Sequence, residues 1–245
     1  MRDTRLIMGM PIMVDIPDGT SQELAETFDY FTSIDERFST YKDTSEISRI
    51  NRGEIHAENY SSDMQEIFAI AQMTKEDTGG YFDIFRPDGL IDPSGIVKGW
   101  AIYKAALRLS ERGVEDFLVD AGGDVQSRGK NSEGGQWSIG IRHPFEKNKI
   151  AKVVYPHGRG VATSGSYIRG AHIYNPLDTA QTLIEIVSLT VIGPNVLEAD
   201  RFATAAFAMG RDGINFIEHT GHLEGYAIDK DGIATYTTGF EQFLS

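Results

Sequence analysis

The feature that most constrains this 245-residue chain is the change in its hydrophobic period part-way along. Up to about residue 115 the apolar residues recur at helical spacing. Thr20-Ser21-Gln22-Glu23 is a capping box, and Leu24, Phe28, Phe31, Ile34 and Phe38 follow on one face, predicting a long helix to about Arg37. Asp43 and Glu46 read as a second capping pair before Ile47 and Ile50. Ser61 or Ser62 opens a helix that stops at Gly79-Gly80, and the Trp100, Tyr103, Leu107 spacing predicts one from Gly99 to Arg112, with Gly113 as its cap. From Phe117 the texture becomes β: 117–119, 137–141, 150–155, 160–163 and 184–193 read as strands between Gly-rich turns. A small-residue helix over 195–209, a shorter one over 212–219 and a hairpin at Lys230-Asp231-Gly232 complete the pattern. At the other end, Leu6 to Ile16 reads as one strand with a local break at Gly9-Met10-Pro11. The implied class is α+β, two packed sub-domains of antiparallel sheet with flanking helices and a soft boundary near Glu115.

Composition narrows the functions. A net charge of -13 opposes binding to a nucleic-acid backbone, and an acidic chain that handles phosphates would recruit a divalent cation. Zero cysteines exclude disulfides, thiolate metal sites and cysteine nucleophiles. No apolar run approaches membrane-spanning length, so neither a membrane anchor nor a nucleic-acid partner is expected and the expected location is cytoplasmic.

Three local patterns could carry chemistry. Asp92-Pro93-Ser94-Gly95-Ile96-Val97-Lys98-Gly99-Trp100 has the layout of an anion site at a helix start, combining a carboxylate, an ammonium and a glycine that permits close backbone approach. The same stretch also reads as an ordinary turn. Asp200 and Thr204 stand four residues apart on a predicted helix among alanines, so two hard oxygens share one face, enough for Mg²⁺ when water and substrate phosphate supply the rest; equally, Thr204 could bond back to its helix and Asp200 pair with an arginine. His172 lies in an apolar segment after Ser164-Gly165-Ser166-Tyr167, where it reads as a general base, a hydrogen-bond donor to a phosphate or a satisfied core histidine. Tyr41, Tyr81 and Phe82 are loop aromatics available for stacking or for anchoring. Gly122-Gly123-Asp124 permits close approach of a ligand but lacks the dinucleotide fingerprint.

In order, these segments resemble the ApbE family, the FAD:protein FMN transferases. The resemblance is carried by Met8-Gly9, Phe38 to Tyr41 with Ser45 to Asn51, Thr78 to Asp83, Gly95 to Trp100, Ala121 to Asp124, Trp137 to Ile141, Ala162 to Gly165, His172 to Pro176 and Ala199 to Gly210. It implies an ApbE-like, T-fold-like chain read as one flavin transferase domain over 1–245. It also implies a Mg²⁺-dependent enzyme that moves FMN from FAD to a Ser or Thr hydroxyl of an acceptor protein and releases AMP. By the same resemblance Met8, Tyr41, Tyr81, Phe82, Asp83, Asp92, Lys98 and Ile173 fall on FAD contacts. The metal ligands would be Asp200, Thr204 and the carbonyl of Gly95, and His172 or Asp92 would take the proton of the attacking hydroxyl. The chain departs from the family pattern in a short connection between Asp83 and Asp92, in Ile84 after Asp83, and in Asn175 where the family carries an aspartate. A Mg²⁺-dependent FAD pyrophosphatase and a non-catalytic FAD-binding protein are the competing readings.

Overall fold

A computed structural model describes residues 1–165 and 173–244. The N-terminal residues form a hairpin rather than one broken strand. β1 (Arg2–Ile7) and β2 (Met10–Asp15) pair antiparallel around a two-residue turn, in which Met8 and Gly9 both take positive φ, 55° and 70°. A non-glycine residue in that region is uncommon, which is why the sequence does not announce the turn.

Four helices follow. α1 (Ser21–Phe38) starts at the predicted capping box, with Thr20 and Glu23 each bonding the other's backbone N–H. α2 (Glu46–Asn51) is capped by Ser45 rather than Asp43, because the Glu46 carboxylate is turned away to accept from the Ser61 N–H and hydroxyl, both at 2.7 Å. That places Ser61 as the cap of α3 (Ser62–Asp77). α4 (Ser94–Glu111) begins five residues before the predicted Gly99. Proline after Asp92 keeps Asp92 out of the helix, as expected, yet the two glycines inside its first turns do not stop it.

The second half supplies β3 (Phe117–Ala121), β4 (Asp124–Arg128), β5 (Ile139–Arg142), β6 (Ile150–Val154), β7 (Gly160–Gly165) and β8 (Ile186–Gly193). Then come α5 (Val196–Ala208), α6 (Asp212–His219), β9 (Glu224–Asp229) and β10 (Ala234–Tyr236). Eight strands form one antiparallel sheet in the order β1-β2-β3-β4-β7-β8-β9-β10, and β5 and β6 pair separately. The sheet runs straight through residue 115, because β2 pairs with β3 from Ile12↔Ala121 to Asp15↔Leu118. The fold is α+β with flanking helices, as the sequence patterning implies.

Both faces of the sheet are covered, which is why its inner strands read as continuous apolar runs. On one face Ile12, Val14 and Val119 pack with Phe28, Phe31, Ile34 and Trp100 of α1 and α4, while Leu189 and Val191 meet Phe202, Ala203 and Ala206 of α5. The alternate residues Leu118, Val125, Val161 and Ile192 face Ile139 and Ile141 of β5 and the C-terminal Phe240. β4 escapes sequence reading because Gln126 and Ser127 are polar yet buried. The Gln126 amide donates to Gly158 O at 2.8 Å and accepts from the Val196 N–H at 2.9 Å, so its polar groups are satisfied inside. Among the described residues no helix is long and apolar enough to cross a membrane.

Candidate active site

The close approach of α4 to α5 creates the site. Gly99 allows it: a Cβ there would lie 2.6 Å from Asp200 Cβ and 2.9 Å from the Val196 carbonyl. Its N–H donates to Asp200 Oδ2 at 2.8 Å. One turn earlier Gly95 fits against Phe82 and Thr204, where a Cβ would meet a ring carbon at 3.0 Å and the threonine methyl at 3.4 Å. The glycines that lower helix propensity are thus the ones this crossing needs.

A cavity of about 630 Å³ opens beside this crossing, a size suited to a large cofactor or substrate. One wall is aromatic, formed by Tyr41, Tyr81, Phe82 and Tyr174. Tyr41 is 96% exposed, so its ring rests on nothing in the protein, whereas Phe82 is buried. The floor holds Ser94, Gly95 and Lys98 of α4, Asp200 and Thr204 of α5, and Thr163 and Ser164 of β7. The Ser164 and Thr204 hydroxyls lie 3.4 Å apart. Gly122 and Gly123 of the β3–β4 turn and Arg142 of β5 also line the cavity.

Asp92 lines the cavity at the N-terminus of α4, where its Oδ1 accepts from the Ser94 N–H at 3.0 Å. Its position is fixed from behind by Asn51, whose side chain makes two bonds to Ile91, donating to its carbonyl at 2.9 Å and accepting from its N–H at 2.8 Å. The short connection after Asp83 closes as a tight turn, with Phe85 bridged to Ile91 and the Arg86 N–H donating to Leu90 O at 2.8 Å. Arg86, Pro87 and Asp88 of this turn serve as cavity wall. Asp83 pairs with Lys75 at 2.6 Å and caps the turn through the Phe85 N–H.

Lys98 is held by two buried carboxylates, Asp124 Oδ2 at 2.5 Å and Asp200 Oδ1 at 3.4 Å. Burial, relieved in part by Lys98 and reinforced by the charge of Asp124, pushes the Asp200 carboxyl up to about 7. Burial likewise raises Asp120, whose Oδ1 holds the Gly123 N–H at 2.7 Å and so shapes the glycine turn. The Tyr174 phenol is raised by burial and by nearby Asp83, and stays neutral.

Of the residues singled out in the sequence, Tyr41, Tyr81, Phe82, Asp83 and Asp92 come together here with Gly95, Lys98, Ile173, Asp200 and Thr204. Met8 does not line the cavity; it sits in the β1–β2 turn and packs against the helical core. His172 lies outside the described residues, while Gly165 and Ile173 on either side of the undescribed stretch both line the cavity. Asp200 pairs with Lys98 rather than with an arginine; the neighbouring Arg201 is taken by Glu198 and Asp77. Sequence reading overlooks Arg86, Arg142, Tyr174 and, above all, Asp124. Its one signal is a carboxylate directly after Gly-Gly, between two strands.

The described residues hold no cluster of three or more His, Cys, Asp or Glu side chains able to cage a metal. What they present is a carboxylate, two hydroxyls and a helix-start carbonyl in one cavity, the sparse hard-oxygen set that suits Mg²⁺ when a phosphate and water complete it.

The sequence profile of the ApbE family matches residues 8–87 and 85–227. The chain belongs to the ApbE family. The FAD:protein FMN transferase of Escherichia coli K12 is 31% identical over 201 residues, covering 78% of this chain and 56% of that protein. The FAD:protein FMN transferase of Klebsiella pneumoniae is 32% identical over 168 residues, covering 65% and 47%. The chain thus spans about half the length of these ApbE relatives. Among solved structures, the flavin transferase ApbE of Vibrio cholerae superposes with a TM-score of 0.84 at 23% identity, covering 100% of this chain and 99% of that one. The ApbE protein of Thermotoga maritima gives 0.84 at 21%, with coverages of 100% and 99%. These likenesses establish an ApbE fold across the chain.

Proposed function

We propose that this chain is a Mg²⁺-dependent FAD:protein FMN transferase, moving FMN from FAD to a Ser or Thr hydroxyl of an acceptor protein and releasing AMP, and that residues 1–245 act as one domain. The observation that carries this reading is the union, in one cavity, of an aromatic wall with the anion site at the start of α4 and the oxygen pair of α5. The names of the family's relatives supply the reaction.

In this reading Tyr41, Tyr81, Phe82 and Ile173 hold the ring systems of FAD by stacking and apolar contact. The helix start at Ser94–Gly95 and the Lys98 ammonium receive the pyrophosphate. Asp83 and Asp92 fix the polar edges, whereas Met8, which packs against the helical core and does not line the cavity, is left without a contact to FAD. Asp200, Thr204 and the Gly95 carbonyl would hold Mg²⁺, which when bound neutralises phosphate charge as it builds up. The acceptor oxygen forms a bond to the FMN-side phosphorus, the bond from that phosphorus to the AMP oxygen breaks, and AMP leaves with the electron pair. Asp92 or His172 takes the hydroxyl proton. Positioning and fixed charge carry most of the rate.

The direct test follows AMP release from FAD by the purified chain in the presence of an acceptor domain carrying a candidate Ser or Thr, with Mg²⁺ and then with EDTA. The proposal expects Mg²⁺-dependent AMP, and a His172→Ala enzyme at full rate would transfer the base role to Asp92. FAD that binds without any release of AMP in Mg²⁺ would favour the non-catalytic flavin-binding reading.

A further inference from the structure

The buried charges behind the cavity are unevenly shared. Lys98 and Asp200 both line the cavity; Asp124 does not, being 1% exposed at the start of β4. The Lys98 ammonium nevertheless sits 2.5 Å from Asp124 Oδ2 and 3.4 Å from Asp200 Oδ1. It leans away from the cavity carboxylate and toward the one behind it. Asp124 is itself immobilised, because its Oδ1 accepts from the Thr163 N–H of β7 at 2.9 Å. Asp200 Oδ2 is occupied by the Gly99 N–H, so Oδ1 is the oxygen for which the ammonium competes.

Were Asp124 uncharged, one lysine and one aspartate would form a neutral buried pair, with little attraction left for a second cation. Instead, two carboxylates share the one ammonium, and the nearer of them is Asp124. We propose that Asp124 is a positioning residue that draws Lys98 off Asp200 and so keeps the Asp200 carboxylate open to a divalent cation. This rests on the reading of Asp200 as a cation ligand given above. Asp124 acts from outside the cavity lining, through Lys98 and against the direct effect of its own charge on Asp200, which favours a proton there.

The test measures Mn²⁺ binding to the purified full chain by the loss of the free-ion EPR signal, without FAD and then with it; Mn²⁺ favours the same oxygen ligands as Mg²⁺. Asp124→Asn preserves the size and the bond from Thr163, and puts an uncharged NH2 in place of the oxygen that faces Lys98. It should weaken Mn²⁺ binding roughly tenfold or more, the scale of lost outer-shell support. The variants are compared without FAD, whose pyrophosphate Lys98 would receive: there Lys98→Met removes the competitor and should leave Mn²⁺ binding at least as tight as in the wild type. The double variant Asp124→Asn with Lys98→Met should recover most of what Asp124→Asn loses. Unchanged binding in Asp124→Asn, or no recovery in the double variant, overturns the inference. If Asp124→Asn does not fold, weakened binding in Lys98→Met overturns it. A wild-type chain that binds FAD but no Mn²⁺ overturns the metal reading together with this inference, whereas wild-type binding with an unaffected Asp124→Asn overturns this inference alone.

Discussion

Gly99 donates its backbone N–H to Asp200 across the α4–α5 crossing at 2.8 Å, with no room for a side chain between them. The contact joins residues 101 apart in sequence and sets both how closely the helices pack and which carboxylate oxygen faces the cavity. A methyl group at Gly99 would enter Asp200 and the Val196 carbonyl, both backbone-anchored. Gly99→Ala should therefore destabilise the fold by about 1–3 kcal/mol, despite alanine's better helix propensity, as overpacking does. Urea unfolding measures it, and an unchanged midpoint would mean that the helices can separate at no cost.

Metal affinity should depend on pH through Asp200. Its raised pKa means that protons compete with the cation for this carboxylate below about 7. Mg²⁺ affinity should fall roughly tenfold from pH 8 to pH 6 and level off above pH 8, since one proton must leave as the ion binds. Calorimetric titration at several pH values checks this, and a flat profile would remove Asp200 from the ligand set.

Tyr41 presents an almost fully exposed ring to the cavity. Tyr41→Ala should leave stability within about 0.5 kcal/mol of wild type, because no packing is lost. FAD binding should weaken by about 1–3 kcal/mol if the ring stacks on a base or flavin. Flavin fluorescence quenching and thermal unfolding together separate the two effects.

Asn51 supports Asp92 from outside the cavity. Asn51→Leu leaves the Ile91 N–H and carbonyl without their partners and should cost about 1–3 kcal/mol. The rate of AMP formation should fall more than FAD affinity, because Asp92 loses its fixed position while the aromatic wall remains. Equal loss of both would assign Asn51 a purely structural part.

The parts of this molecule that sequence reveals are those fixed by neighbours in the chain. Thr20 and Glu23 cap α1 within one turn, and Gly113, at φ 85°, follows the end of α4 as a helix-terminating glycine does. What the sequence conceals is decided at a distance. Gly95 and Gly99 look like poor helix residues, yet they sit in α4 because Thr204 and Asp200 come against them. Asp124 and Gln126 look too polar for an inner strand, and each is satisfied by groups tens of residues away. Met8 adopts a turn conformation that side chains disfavour, so the hairpin reads as a strand. Ten candidate site residues do converge on the cavity, since the family resemblance places motifs that no local pattern could join.

The central claim is transfer of FMN to protein, and one stoichiometry tests it most directly. The purified chain is incubated with FAD, Mg²⁺ and an acceptor domain carrying a candidate Ser or Thr, and AMP is quantified against the intact mass of the acceptor. The account predicts one acceptor-bound FMN ester for each AMP released. AMP matched by free FMN, with the acceptor unmodified, would contradict it and assign the cavity to hydrolysis.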